Sequence, residues 1–133
     1  MSLSLALKLA RKRQLIVPRG SSSISRFCAV LTDGNSTFHG YNSYRSHPLA
    51  KQFSSHPEKI CLHAEVDALI KAKSYFTKVA GTRRDSYVNL SDFRMYIARV
   101  LADGSPGLAK PCASCQEALR WFQIKDVSYT ETS

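Results

Sequence analysis

The sequence predicts an α/β protein with helices layered on a central sheet. Three observations carry this. Apolar residues recur at helical spacing in three separate stretches. Short runs rich in β-branched and aromatic residues lie between them, bounded by Gly, Asp, Asn and Pro. Helical and strand patterns alternate along one chain without an obvious linker, which is how layered α/β folds are written.

Taken in order, residues 2–14 read as a helix, with Leu3, Ala6, Leu7 and Ala10 on one face. Val17 to Ser23, containing Pro18 and Gly20, reads as a loop. Arg26 to Leu31 reads as a buried strand, and Asp33-Gly34-Asn35 as the turn of a hairpin whose second arm is Ser36 to Tyr41. Asn42 to Lys59 is a long polar stretch holding Pro48 and Pro57, expected to be a functional loop. Leu62 to Ala72 predicts a helix with Val66, Leu69 and Ile70 inward. Residues 73–91 extend that helix towards Gly81 or form an insertion. Phe93 to Leu101 predicts a strand with Met95, Ile97 and Val100 in the core, followed by a turn at Asp103 to Gly107. Cys112 to Phe122 predicts a helix, with Trp121 and Phe122 inward, and Val127 to Tyr129 the heart of a last strand. With 133 residues, the expectation is one domain over 1–133.

Composition narrows the class. Apolar content is 44%, ordinary for a globular protein. No apolar run is long enough to span a bilayer, so no membrane partner is expected. The first 14 residues place apolar positions before the charges, the reverse of a secretory signal; they read as a helix of the mature protein, with a cytoplasmic location. Formal net charge is +9, and the first 32 residues contain Lys8, Arg11, Lys12, Arg13, Arg19 and Arg26 but no acid. That balance suits phosphate-bearing partners, with single-stranded nucleic acid among them.

The chemistry sits in two short strings. In KPCASCQEAL, Cys112 and Cys115 are three apart, so a helix brings both sulfurs to one face. Pro111 stands where a helix start tolerates it. The free N–H groups and dipole of that first turn lower the cost of a thiolate, the form that binds metal. In CLHAEVDAL, His63 also lies at a helix start. His63, Cys112 and Cys115 thus offer three ligands to one zinc ion and leave a fourth position for water, the pattern of a catalytic site. Glu65 need not be a ligand. From the same helix end it can take a proton from that water and pass it on.

An alternative closes the site structurally. Cys61 would complete a Cys3His set and make a binding module instead of an enzyme, although Cys61 and His63 are tightly spaced for one ion and Glu65 would then have no role. Cys28, within an apolar strand, reads as a small core residue. His39, His47 and His56 read as surface or loop positions. Tyr41, Tyr44 and Phe53, with Arg45 and Lys51, could hold a base or a single strand.

His63-Ala64-Glu65 followed by Pro111-Cys112-Ala113-Ser114-Cys115 matches the H-x-E and P-C-x-x-C signature of zinc deaminases of nucleobases. The chain resembles the cytidine and deoxycytidylate deaminase superfamily, most of all its small phage and bacterial deoxycytidylate-deaminase-like members. Helix, hairpin, H-A-E helix, strand, P-C-x-x-C helix and strand follow in that family's order. The resemblance implies a three-layer α/β/α fold with a central mixed sheet of about four to five strands. It implies zinc-assisted hydrolysis at the amino-bearing carbon of a base, with Glu65 shuttling protons to the ring nitrogen and the departing ammonia. Backbone N–H groups of Ala64 and Glu65 would face the base, and Asn42 would contact the sugar. The expected substrate is a cytosine nucleotide or nucleoside such as dCMP, dCTP or deoxycytidine. Cytosine or adenine within single-stranded DNA or RNA is the alternative, and an inactive relative kept for assembly a further one. Relatives often assemble, so a homo-oligomer is expected. Three departures stand out: a long interval between His63 and Cys112 carrying Lys78, Arg83 and Arg84, little chain after the last strand, and Lys110 before Pro111, where it could meet a phosphate.

Overall fold

The computed structural model describes residues 3–12, 26–42, 63–80, 89–101 and 104–131. The elements are α1 (Leu3–Lys12), β1 (Arg26–Thr32), β2 (Thr37–Tyr41), α2 (Ala64–Ala80), β3 (Arg94–Val100), β4 (Pro106–Gly107), α3 (Ala113–Trp121) and β5 (Asp126–Tyr129). Five strands make one mixed sheet. β2 pairs antiparallel with β1, and β1 antiparallel with β3. The far edge of β3 is shared: β5 runs parallel along Arg94 to Ile97, and β4 pairs antiparallel with Arg99 and Val100. Buried Thr130 joins the two, because its Oγ1 donates to Gly107 O at 2.7 Å and accepts Arg99 N–H at 3.1 Å.

Strand alternation sends side chains to two cores, one on each face. Ala29, Leu31, Met95 and Ile97 face α2 and α3, where Val66, Leu69, Leu119 and Phe122 cover them. Cys28, Val30, Ala98 and Val100 face α1, whose Ala6 and Ala10 are fully buried. The small side chains on α1 let it lie close to the sheet. The result is three layers, α1 on one face and α2 with α3 on the other.

The hairpin turn forms as its sequence suggests. Asp33 Oδ1 accepts the N–H groups of Asn35 and Ser36, and Gly34 takes a φ of 95°, which costs glycine little. Residues 73–80 belong to α2, so the stretch left open between helix and insertion is helical as far as Ala80. Its aromatic residues explain the extension: Phe76 meets Phe38 and Phe93 edge to face, Tyr75 meets Phe38 at a tilt, and these contacts anchor the second half of the helix to the sheet. Trp121, expected inward, is half exposed, while Phe122 takes the inward position at 1% exposure. α3 ends at Trp121 and the backbone turns at Gln123, with a φ of 68°; Phe122 continues the buried stripe of Cys115, Ala118 and Leu119, and Trp121 lies off that stripe. Arg83 and Arg84 lie outside the described residues, and no described helix is long and apolar enough to cross a membrane.

Candidate metal centre

The site lies where two helices begin. α2 passes over β2 at Gly40, and a Cβ there would collide with the carbonyl oxygen of Ala64 and the backbone nitrogen of Ala68. Only glycine lets the first turn of α2 come down onto the sheet at this point. Asp67 fixes the same turn from the side: its Oδ2 accepts the N–H of Tyr41 at 2.9 Å and meets Lys71 Nζ at 3.2 Å. His63 is the residue before this helix, and its carbonyl accepts the N–H of Asp67 at 2.9 Å. Cys112 holds the same place before α3, with extended backbone and its carbonyl accepting Gln116 N–H at 2.9 Å. Gln116 in turn donates from Nε2 to the carbonyl of Pro111 at 2.9 Å, which steadies the entry to the helix.

These two helix starts bring the three expected ligands together. His63 Nδ1 is 3.2 Å from Cys115 Sγ and 3.6 Å from Cys112 Sγ. The ligand atoms of His63, Cys112 and Cys115 all lie within 4.8 Å of one another, close enough to hold one metal ion. Cys115 is buried, whereas His63 and Cys112 are exposed, so the cluster faces outward on one side. The donor set suits zinc, which takes thiolate sulfur and imidazole nitrogen.

Electrostatics favour charge at the exposed sulfur. A hydrogen bond from the Cys115 thiol, with another from His63, brings the Cys112 thiol down to about 3. The same pairing, with burial, pushes Cys115 up. His63 is raised chiefly by its hydrogen bond to Cys112. Glu65 is 5% exposed, and burial raises its carboxyl above the usual carboxylate range. Glu65 is thus a buried acid beside the ligand cluster, two residues along from His63.

The other expected site residues fall as follows. Ala64 is the first residue of α2 and is buried against the sheet. Asn42 follows β2, and its Oδ1 accepts the N–H of Phe27 at 2.9 Å, so it ties the hairpin at the end nearest the helix starts. Lys110 is exposed and lines an open cleft with Pro111, Gln116 and Tyr129. Cys28 is fully buried, in keeping with a core role. His39 is partly buried on β2, and its carbonyl accepts Lys71 Nζ at 2.6 Å. Cys61, Tyr44, Arg45, His47, Lys51, Phe53 and His56 lie outside the described residues. Sequence reasoning passed over Gly40 and Asp67, which position the start of α2. Gly40 alone left a signal, as a glycine interrupting a strand pattern, which marks close approach of another backbone.

Comparison with known proteins agrees with this geometry. The chain shares its fold with the cytidine deaminase of Burkholderia pseudomallei, solved by crystallography at 1.6 Å; the TM-score is 0.55 and identity 18%, over 97% of this chain and 86% of that one. No curated protein matches the sequence. Residues 3–131 match the family model described as the cytidine and deoxycytidylate deaminase zinc-binding region. With both signature strings meeting at one point and the family model covering nearly the whole chain, the protein belongs to the cytidine and deoxycytidylate deaminase family.

Proposed function

We infer that this chain is a zinc-dependent hydrolytic deaminase of a cytosine-containing nucleotide or nucleoside, of the dCMP, dCTP or deoxycytidine type. The observation that carries the reading is the convergence of His63, Cys112 and Cys115 at two helix starts, with buried Glu65 two residues along from the histidine. In this reading those three residues hold the zinc. A zinc ion so held supplies a polarised water that is acidic near neutral pH. The rest of the chemistry belongs to the chain. Glu65 takes a proton at its carboxylate, gives it to the ring nitrogen, and carries a second to the departing amino group. The first N–H groups of α2, at Ala64 and Glu65, lie at the positive end of the helix and orient the base. Asn42 contacts the sugar, and Lys110 a phosphate. The protein then belongs to nucleotide metabolism in the cytoplasm, as a homo-oligomer.

The test is ammonia release by zinc-loaded protein from deoxycytidine, dCMP, dCTP, adenosine and a mixed-sequence single-stranded oligonucleotide. Release from a free cytosine compound is expected. Glu65→Gln, which keeps the shape but cannot accept the proton, should lower kcat by 100-fold or more, as expected for loss of a general acid/base, while zinc content stays at the parent level. A Glu65→Gln variant with kcat within a few-fold of the parent would remove Glu65 from the chemistry.

One observation favours a second reading, deamination within single-stranded DNA or RNA. Lys8, Arg11 and Lys12 are exposed on α1, and no ion pair reaches them among the described residues. Release from the oligonucleotide alone, with binding that weakens steeply as salt rises, would select that reading.

A further inference from the structure

The register of the sheet places one more charged residue at the end of the sheet where α2 begins. On the face that carries α2 and α3, Ala29 lies opposite Gly40 on one side and Ile97 on the other. α2 begins above Gly40 and runs back over Phe38, so its start points towards Asn42. α3 begins at the same end. The N–H of Leu90 bonds to Phe122 O, which ties the far end of that helix to the start of β3. One step out along this face, past both helix starts, the paired residues are Phe27 and Arg99. Their side chains therefore lie on the face that carries α2 and α3, one pair nearer the end of the sheet where β2 leads into Asn42.

Neighbours on the strand and in the following segment hold Arg99 in place. Its guanidinium carbon lies 5.4 Å from the centre of the Phe27 ring, a cation–π distance. Its Nη1 reaches the carbonyl of Leu108 at 3.5 Å, in the segment that leads to Lys110 and Cys112. Its stem passes Gly107, where a Cβ would stand 3.0 Å from Arg99 Cδ. A planar cation beside an aromatic ring, partly buried and at the same end of the sheet as the start of α2, suits a ligand that pairs a ring with an anion. Arginine recognises phosphate through two parallel N–H bonds, more specifically than a lysine can.

We propose that Arg99, with the Phe27 ring beneath its guanidinium, is the residue that reads the phosphate of the substrate and so makes this site select a nucleotide over a nucleoside. This rests on the deaminase reading above for the identity of the base, and it adds a specificity residue to it. Lys110, exposed beyond Leu108 in the same segment, contributes general positive charge, whereas Arg99 supplies the directed bonds.

The experiment is calorimetric titration of zinc-loaded Glu65→Ala protein, which leaves substrate intact, with dCMP and with deoxycytidine. dCMP is expected to bind roughly ten- to a hundredfold more tightly, the size of a charge-assisted hydrogen-bonded contact. Adding Arg99→Met should bring dCMP down to the deoxycytidine value, and adding Arg99→Lys should leave only part of the gap. Equal affinity for the two ligands overturns the proposal, and so does a gap that survives Arg99→Met. Should Arg99→Met fail to fold, an undiminished gap in Arg99→Lys overturns it equally, since the ammonium lacks the two-pronged geometry. A parent protein that releases no ammonia from dCMP would refute the deaminase reading separately, because the binding comparison needs no turnover.

Discussion

Gly40→Ala is the sharpest structural test of how the metal centre is held. The added methyl would point into the first turn of α2. It would stand 2.8 Å from the Cβ of Ala68, about 0.7 Å or more short of the 3.5–4.0 Å optimum for two carbons. It would overlap still more with Ala64 O and Ala68 N. These are backbone atoms and a Cβ, so no side chain can swing aside. The helix start must lift, or β2 must drop. Overpacking of this kind costs about 1–3 kcal/mol, and an obstacle made of backbone belongs at the upper end. The displacement acts one residue from His63, and zinc ligands tolerate shifts of only about 0.2 Å. Zinc affinity should therefore fall by at least tenfold, beyond the loss of stability. The assay pairs thermal unfolding with competition against a chromophoric zinc chelator. Parent-like zinc affinity in a folded Gly40→Ala protein would refute the claim that this contact positions the site.

Two further predictions concern the sheet. Thr130→Val keeps the shape but removes the hydroxyl that bonds Gly107 O and Arg99 N–H where β4 meets β5; a loss of about 1–3 kcal/mol in denaturant unfolding is expected, because both partners lose their bond. Burial pushes the Cys28 thiol up to about 12 from an ordinary 9.0. The folded state therefore keeps its proton after the unfolded chain has lost it. Stability should fall as pH rises through 9 towards 12, by up to roughly 1.4 kcal/mol per pH unit from this group. Cys28→Ala should flatten that alkaline slope, whatever it costs in packing, and an unchanged slope would show that the thiol does not couple to folding.

Much of the centre was legible because its chemistry demands particular residues at particular places. Two sulfurs three apart after a proline, and a histidine two before a glutamate, each announce a helix start, and the structure brings both to one point. The strands on either face could also be read, since Cys28 and Val30 alternate with Ala29 and Leu31 between the two cores. What the sequence could not show was long-range. The second half of α2 reads ambiguously because its stability comes from Phe38 and Phe93, far away in the chain. Trp121 and Phe122 are adjacent and similar, but Phe122 continues the buried stripe of Cys115, Ala118 and Leu119 at helical spacing and Trp121 falls off it. Nothing in the strand pattern marks Arg99; only the register sets it against Phe27.

The pairing of β1 has a consequence for how the chain is made. β1 and β2 form a local hairpin joined by a tight turn, but the other edge of β1 is covered by β3, with Cys28 opposite Ala98. During synthesis at ~5–20 residues per second, about 70 residues must emerge before that edge finds its partner, an interval of several seconds. Throughout it the backbone of the apolar segment Cys28 to Leu31 presents unpaired N–H and C=O groups, an invitation to strand-to-strand association. Conditions that slow translation or raise nascent-chain density should therefore lower the yield of this protein more than its final stability would suggest.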